Sequence, residues 1–138
     1  MIPNTDLALR NLAQHLLVSI LPDLSTEYAM SDAALTGVLM NAVADEIAEG
    51  INRRLIDIEE MQMLLATCEL GADERSVLSG SLPNYTLKEV NARHDALTTM
   101  LIVWHEKSEQ EESLADLNLE IWCYLQRHSQ RHTINAEL

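Results

Sequence analysis

The sequence predicts an all-α protein: an up-and-down-like four-helix bundle with one long helix, at about residues 31–69, and a long crossover loop. Hydrophobic residues make up 47% of the chain, yet it contains no Phe, two Trp and three Tyr. Leu, Ile, Val, Ala and Met must therefore fill the core, and this mixture favours helices. Four Gly and three Pro supply few of the tight turns that an all-β fold needs. The 138 residues suffice for one core, which predicts a single helical-bundle domain over residues 1–138.

The first predicted helix starts after Asn4 or Thr5 and ends at Pro22. Its apolar stripe repeats in steps of three and four residues, as one face of a helix requires. The members of the stripe are Leu9, Leu12, Leu16 and Ile20. Residues 22–31 are predicted to be a connection, because Pro22 stops the helix and the segment is rich in residues that form caps and turns.

The second helix is predicted from Ser31, its N-cap, to Glu69, with Gly71 closing its C-terminus. Its apolar face consists of Leu35, Leu39, Val43, Ile47, Ile51, Leu55 and Ile58. A row that repeats every four residues is interpreted as a solvated charged face: Asn41, Asp45, Glu49, Arg53 and Asp57. A continuous helix of this length would reach roughly 57 Å at 1.5 Å per residue, more than the other helices cover. Either a bend at Gly37 or Gly50 folds it back, or a second copy of the chain packs on it.

The end of the long helix favours the second alternative, because its apolar residues point around most of the circumference. We therefore expect a homodimer that pairs through the long helix and through the apolar side of the next helix. The candidate interface residues are Ile51, Leu55, Met61, Leu65, Met100 and Val103.

The third helix follows a loop over residues 71–85, in which we expect one helical turn near residues 73–78. Thr86-Leu87-Lys88-Glu89 is a capping box, with Thr86 as the N-cap and Glu89 reaching back to it. The middle of this helix is apolar nearly all round, which predicts a central place in the bundle.

The fourth helix is predicted after an acidic turn over residues 106–112, with Ser113 as its N-cap. Its inner face carries Leu114, Leu117, Ile121, Tyr124, Leu125 and His128. We expect it to end near His132 or Thr133.

The charge of the chain excludes several functions. Nine basic and 22 acidic residues give a formal charge of −13, which would repel a nucleic acid backbone and anionic lipid.

The longest apolar run, Leu16-Leu17-Val18, is far shorter than the roughly 20 residues of a membrane span. The N-terminus does not follow the order of a signal peptide, so we expect a cytoplasmic protein. Cys68 and Cys123 form no metal or redox spacing and are interpreted as reduced, mostly buried small hydrophobic residues.

Two histidines are predicted to share one layer of the bundle. The third and fourth helices are joined by a short turn and should pack antiparallel. With the turn centred on Glu111, His94 lies 17 residues before it and His128 lies 17 residues after it. The two imidazoles are therefore expected at the same height on facing helices.

This pair has two interpretations. The simpler one places one or both imidazoles at the edge of the bundle, bonded to a carbonyl or to each other. The other is a metal or small-ligand site, in which the metal would be a transition metal such as Zn or Fe. The simpler interpretation requires no cofactor. His128 and His132, four residues apart on one helical face, add a further candidate ligand. The Glu-x-x-His step of carboxylate-bridged di-iron bundles is absent.

No motif of catalysis, cofactor binding or phosphate binding occurs in the sequence. The locally basic segment at residues 126–132 is interpreted as helix C-terminal charge that complements the macrodipole. We therefore expect a non-enzymatic helical interaction or accessory protein that acts as a homodimer. The alternative is a small-ligand-binding or metal-binding bundle with its site near His94 and His128.

Overall fold

The structure, a computed structural model, describes residues 4–134, which contain α-helices and no β-strand. The prediction of an all-α helical bundle with one long helix is confirmed. The α-helices are α1 (Thr5–His15), α2 (Glu27–Leu65), α3 (Ala72–Leu78), α4 (Leu87–Gln110) and α5 (Ala115–Arg131).

The long helix α2 is continuous, but it begins and ends four residues earlier than predicted. The hydroxyl of Thr26 accepts a hydrogen bond from Ala29 N at 3.2 Å, so Thr26 caps the helix in place of Ser31. Gly71 does not close α2, because it is the N-cap residue of α3 and donates its N–H to Glu74 Oε2 at 2.8 Å. Ser31 and Gly71 are both residues typical of helix caps. The sequence offers more than one such candidate at each end of α2.

The other boundaries follow the predictions more closely. The first helical segment continues past α1 as a π-helical turn, Leu16–Ile20, and a 3-10 turn, Leu21–Asp23. The predicted turn near residues 73–78 is α3, and Thr86 caps α4 by accepting a hydrogen bond from Glu89 N at 3.4 Å. The prediction of Ser113 as an N-cap is wrong, because Ser113 lies inside a 3-10 turn that precedes α5.

The chain divides into two compact units, which are described separately. The N-terminal unit comprises residues 1–50 and 134–138, and the C-terminal unit comprises residues 51–133. Helix α2 contributes its first part to the N-terminal unit and its last part to the C-terminal unit.

In the N-terminal unit, α1 and the turn after it pack antiparallel to the first part of α2 through small residues. Gly37 lies so close to Leu17 that an added Cβ would stand 2.6 Å from its Cγ, which only glycine permits without a shift. Arg10 pairs with Asp45 at 2.5 Å. The buried residues of the described part of this unit are Ala13, Gly37, Ala44 and Gly50.

The C-terminal unit holds the hydrophobic core, which is built from the end of α2 and from α4 and α5. Its largest fully buried apolar side chains are Met61, Leu65, Leu97, Ile121 and Val90. Met61 contacts Thr98, while Asp57, one turn earlier on α2, contacts His94, one turn earlier on α4. These paired contacts make α2 and α4 parallel, which the crossover between them allows.

The crossover is tied to the core by polar contacts. The indole Nε1 of Trp104 donates to Glu74 Oε1 at 3.0 Å, and the ammonium of Lys107 lies 4.5 Å from the centroid of the Trp104 ring. Arg93 donates to the carbonyl of Leu78 at 2.8 Å, which satisfies the end of α3. These contacts join the crossover helix α3 to α4.

Candidate functional site: a buried aspartate among three histidines

Asp57 is the centre of the candidate site, which lies within the C-terminal unit. It stands one turn before Met61 on α2 and two turns before Leu65, and all three residues are 0% exposed. The spacing of charged residues by four predicted Asp57 on a solvated charged face, and that prediction is wrong. A fully buried carboxylate is stable only with polar partners, so its contacts decide what the site is.

Three imidazoles converge on a single oxygen of this carboxylate. Asp57 Oδ2 lies 2.6 Å from His132 Nε2, 3.0 Å from His128 Nδ1 and 3.3 Å from His94 Nε2. His94 comes from α4, His128 from α5, and His132 is the residue that caps the end of α5. Together with Asp57 on α2, three helices therefore contribute to one polar centre.

The other carboxylate oxygen, Asp57 Oδ1, accepts a hydrogen bond from the guanidinium of Arg131. Arg131 also donates to Glu60 Oε1 at 3.0 Å, and Arg127 pairs with the same Glu60 at 3.3 Å. The arginine thus fixes the rotation of the Asp57 carboxylate and leaves Oδ2 facing the imidazoles. The basic segment at the end of α5 therefore serves the site, in addition to its place at the helix C-terminus.

Burial and hydrogen bonding act in opposite directions on Asp57. Burial raises the pKa of a carboxyl group, but the hydrogen bonds from His94 and His132 and the charges of His128 and His132 outweigh it, so the pKa of Asp57 falls well below its ordinary value. Nearby, burial and then the negative charge of Asp57 raise the pKa of Tyr124, which keeps the phenol protonated. The centre therefore holds a fixed negative charge on Asp57.

The number of ring nitrogens around Oδ2 is larger than a simple hydrogen-bond network needs. A carboxylate oxygen offers about two lone-pair directions. Here three nitrogens lie within 3.3 Å of Oδ2, from His94, His128 and His132. Imidazole nitrogens grouped around a carboxylate are a donor set that divalent transition metals prefer.

The distances are compatible with a metal ion. One ligand atom each of Asp57, His128 and His132 lie within 4.8 Å of one another. Ligands at about 2.0–2.1 Å from a tetrahedral Zn²⁺ ion are separated by roughly 3.4 Å. The ring nitrogens of His132 and His128, at 2.6 Å and 3.0 Å from Asp57 Oδ2, would move away from this oxygen by less than about 1 Å to reach that separation. Two histidines and one carboxylate form a common ligand set, and His94 Nε2 lies 3.3 Å from the same oxygen.

The rings of His94 and His128 also form part of the wall of a small cavity. The centroids of the two rings are 6.0 Å apart and the rings are stacked. The cavity has a volume of about 110 Å³ and lies between α4 and α5, with Leu101, Ile121 and Leu125 on its apolar side. A mostly apolar cavity beside the imidazoles lowers the local dielectric constant, which strengthens the electrostatic contacts of the centre.

The structure brings together all three histidines that the sequence singled out as metal candidates. His94 and His128 stand at the same height on antiparallel helices, and His132 joins them one turn after His128. The sequence analysis missed Asp57 and Arg131. A signal for Asp57 existed, because it lies four residues before Met61 and eight before Leu65, on the most apolar face of the end of α2.

The remaining candidates lie away from this centre. His15 is exposed on α1, and His105 packs its ring edge-on against Trp122 at 5.2 Å between centroids. Cys123 is exposed, whereas the expectation for both cysteines was that they are mostly buried. Cys68 is half-buried, and burial raises the pKa of its thiol, which disfavours the reactive thiolate.

The predicted dimer interface residues divide into two groups. Met61, Leu65 and Met100 lie in the core of the C-terminal unit, and Ile51 and Leu55 pack partly against it. Val103 alone of the six is mostly exposed, at 54%. A surface made from Met61, Leu65 and Met100 would require the core to open, so any self-association has to use residues other than these three.

Among residues 4–134, no helix is long and apolar enough to cross a membrane. No protein family matches the chain, and neither a curated protein nor a solved structure is significantly similar to it.

Proposed function

We propose that this protein binds a divalent transition-metal ion, with Asp57, His128 and His132 as ligands and His94 as the fourth. The single observation that supports the proposal most is the convergence of three imidazole nitrogens on one oxygen of a buried carboxylate. Imidazole nitrogen with a single carboxylate favours zinc or ferrous iron, because calcium and magnesium prefer sites made of oxygen ligands alone.

The charges around the site also support a cation. Asp57 and Glu60 carry two negative charges, which the guanidinium groups of Arg131 and Arg127 balance, so with the imidazoles in the neutral form that binds metal the centre has no excess of positive charge. Outside the centre, the formal charge of −13 raises the local concentration of cations. Arg131 would then orient Asp57 from its outer oxygen, as hydrogen-bond partners of ligating carboxylates do.

The competing explanation is a closed polar cluster that only stabilises the fold. In that case Asp57 is satisfied by hydrogen bonds from the histidines and from Arg131, and added metal changes nothing. The two explanations therefore differ in whether the protein takes up metal and whether metal stabilises it.

The test is titration of chelator-treated protein with Zn²⁺, followed by calorimetry and by thermal unfolding. We expect one Zn²⁺ per chain and a rise in the free energy of unfolding of about 2.7 kcal/mol at a free concentration 100 times the dissociation constant. Removal of a hydrogen-bond partner of a ligand already costs about 10- to 100-fold in affinity, so His132→Ala, which removes a ligand, should cost at least that much.

A matched control is His15→Ala, which removes an exposed imidazole far along the chain from the cluster. It should leave Zn²⁺ affinity unchanged and so separate the site from adventitious binding to surface histidines. If His132→Ala does not fold, His128→Gln tests the same ligand set. Absence of saturable uptake, or equal affinity in the wild type and in His132→Ala, would contradict the proposal.

A second candidate function is that of a non-enzymatic interaction protein, with the self-association predicted from the sequence as its simplest form. It is supported by the exposed apolar side chains of the N-terminal unit, whose buried residues are small. A chain segment of this size must bury apolar area to offset the conformational entropy that it loses on folding. A partner that covers the exposed apolar side chains would therefore stabilise the N-terminal unit.

Light scattering tests the self-association. A particle of twice the chain mass of 15.5 kDa at micromolar concentration supports a homodimer. A particle of 15.5 kDa under the same conditions contradicts the homodimer. The exposed residue Val103 provides a variant, Val103→Asp, that should split a dimer only if the predicted side of α4 takes part.

A further inference from the structure

An apolar ridge runs along the first part of α2 in the N-terminal unit. Its members follow one another at four-residue steps, so they lie in a row on one helical face. Each is between 49% and 58% exposed. The ridge consists of Leu35, Leu39, Val43 and Ile47.

The first part of the ridge faces away from the contacts that hold this unit together. Gly37 and Ala44 are buried on α2, and at about 100° per residue they lie about 140–180° from Leu35 and Leu39 around the helix, while Ile47 lies about 60° from Ala44. The ridge is therefore a second apolar face of the helix, in addition to the one that α1 occupies. A contiguous exposed apolar row of this kind is typical of an interaction surface.

The surroundings of the ridge are strongly acidic. The first fifty residues contain seven acidic side chains and one basic side chain, Arg10, which is paired with Asp45 at 2.5 Å. Asp32 lies one turn before Leu35 on the helix surface, and Glu49 follows the end of the ridge. The exposed carboxylates of this unit are Asp23, Glu27, Asp32 and Glu49.

This charge distribution discriminates between possible occupants. A second copy of the chain on the same face would bring two sets of seven acidic side chains together with one arginine each. Like charges around an apolar contact oppose association, whereas opposite charges steer the partner and fix its register. The ridge is also one residue wide and winds gradually around α2, which fits the apolar stripe of a single helix that crosses it at an angle.

We propose that the ridge binds an amphipathic helix of another protein whose apolar stripe is flanked by lysine or arginine. The apolar row supplies the contact area, and the carboxylates at its edges pair with the basic flanks of the partner. The proposal rests on the interaction function, and it names the chemistry of the partner. It is independent of the metal site.

The test uses two labelled synthetic helices of about 18 residues, one with leucine and lysine and the other with the same leucine pattern and glutamate. Binding to the full chain is measured by fluorescence anisotropy. We expect the basic helix to bind at least about tenfold more tightly than the acidic one. Leu39→Ser should weaken binding of the basic helix by about tenfold, because it removes a central apolar contact.

Ile102→Ser is the matched control, because Ile102 is an apolar residue of the C-terminal unit that is 62% exposed. It should leave binding of the basic helix unchanged. Raising NaCl from about 0.1 M to about 1 M shortens the Debye length from about 10 Å to about 3 Å. The higher salt concentration should therefore weaken binding of the basic helix to the wild-type chain.

Four results would overturn the proposal. Equal binding of the two synthetic helices would remove the role of charge, and equal effects of Leu39→Ser and Ile102→Ser would remove the ridge as the site. A dimer in light scattering that Leu39→Ser dissociates would assign the ridge to a second copy and preserve the interaction function. Absence of both dimer and helix binding would contradict the interaction function itself.

Discussion

The two units of this protein place their apolar side chains in opposite ways. In the C-terminal unit, large side chains such as Leu97 and Ile121 are fully buried, and a charged centre is buried with them. In the N-terminal unit the buried residues are alanine and glycine, while leucine and isoleucine on α2 face outward. Both units are helical and both have amphipathic patterns.

The difference shows that helix amphipathicity does not by itself determine which face becomes the core. Along one continuous helix, α2, the N-terminal part uses its small residues for contact and the C-terminal part uses its large ones. Small residues let helices approach closely but bury little apolar area, so they add little hydrophobic free energy. We therefore expect stability to depend mainly on the C-terminal unit, and four predictions test this.

The largest effect is expected from Asp57→Ala. The substitution leaves Arg131 and three imidazoles around a buried position without their carboxylate, and breaking a buried ion pair costs about 3–5 kcal/mol in the free energy of unfolding. Urea denaturation measures this value. Glu60→Ala, which removes a more exposed member of the same network, should cost distinctly less, and equal costs would contradict the central place of Asp57.

A truncation in the core should come next. Leu97→Ala removes methyl groups from a fully buried site, and such changes cost about 2–5 kcal/mol. The matched change in the N-terminal unit, Leu39→Ala, should stay within about 0.5 kcal/mol, because its side chain is 55% exposed. Similar costs for both substitutions would remove the contrast between the units.

A smaller effect is expected when the pH is lowered. The pKa of Asp57 is lower in the folded chain than its ordinary value of 3.8, so its contribution to stability is complete above 3.8 and is lost as the pH falls towards the folded-state pKa. The difference in the free energy of unfolding between the wild type and Asp57→Asn should therefore narrow below pH 3.8. Asp95→Asn, at an 82% exposed side chain, should not reproduce this narrowing.

The smallest effects should come from the helix caps. Thr86→Ala removes the cap of α4, and Thr26→Ala removes the cap of α2, each at a cost of about 1 kcal/mol to its own helix. If the N-terminal unit unfolds separately, only Thr86→Ala will lower the midpoint of the main transition. Equal shifts would indicate that both units unfold together.

Much of the fold followed from local patterns in the sequence. The steps of three and four in apolar residues predicted the helices, and Thr86 with Glu89 predicted the start of α4, because caps and periodicity depend on neighbours along the chain. The predicted start of α2 was wrong because Thr26 and Ser31 are both suitable N-caps, and only the packed structure selects one of them. Helix ends depend on weak local preferences, so tertiary contacts readily shift them.

The candidate site was predicted in part. Counting residues from the turn at Glu111 placed His94 and His128 at one height, since short connections force antiparallel packing. Asp57 was assigned to the solvent because it falls in a row of charged residues spaced by four. That row drifts around the helix, since four residues exceed one turn of 3.6, and its last member reaches the buried face.

The sequence by itself determined the helical class, the single long helix and the two histidines that meet across α4 and α5, because each follows from spacing along the chain. The tertiary structure alone decided which apolar face of α2 is covered and which charged residue is buried. The physical reason is that burial depends on which other helices pack against a residue, and the choice among several apolar faces is made by the free energy of the whole packed core. For this protein that choice buried Asp57 and left the ridge from Leu35 to Ile47 exposed.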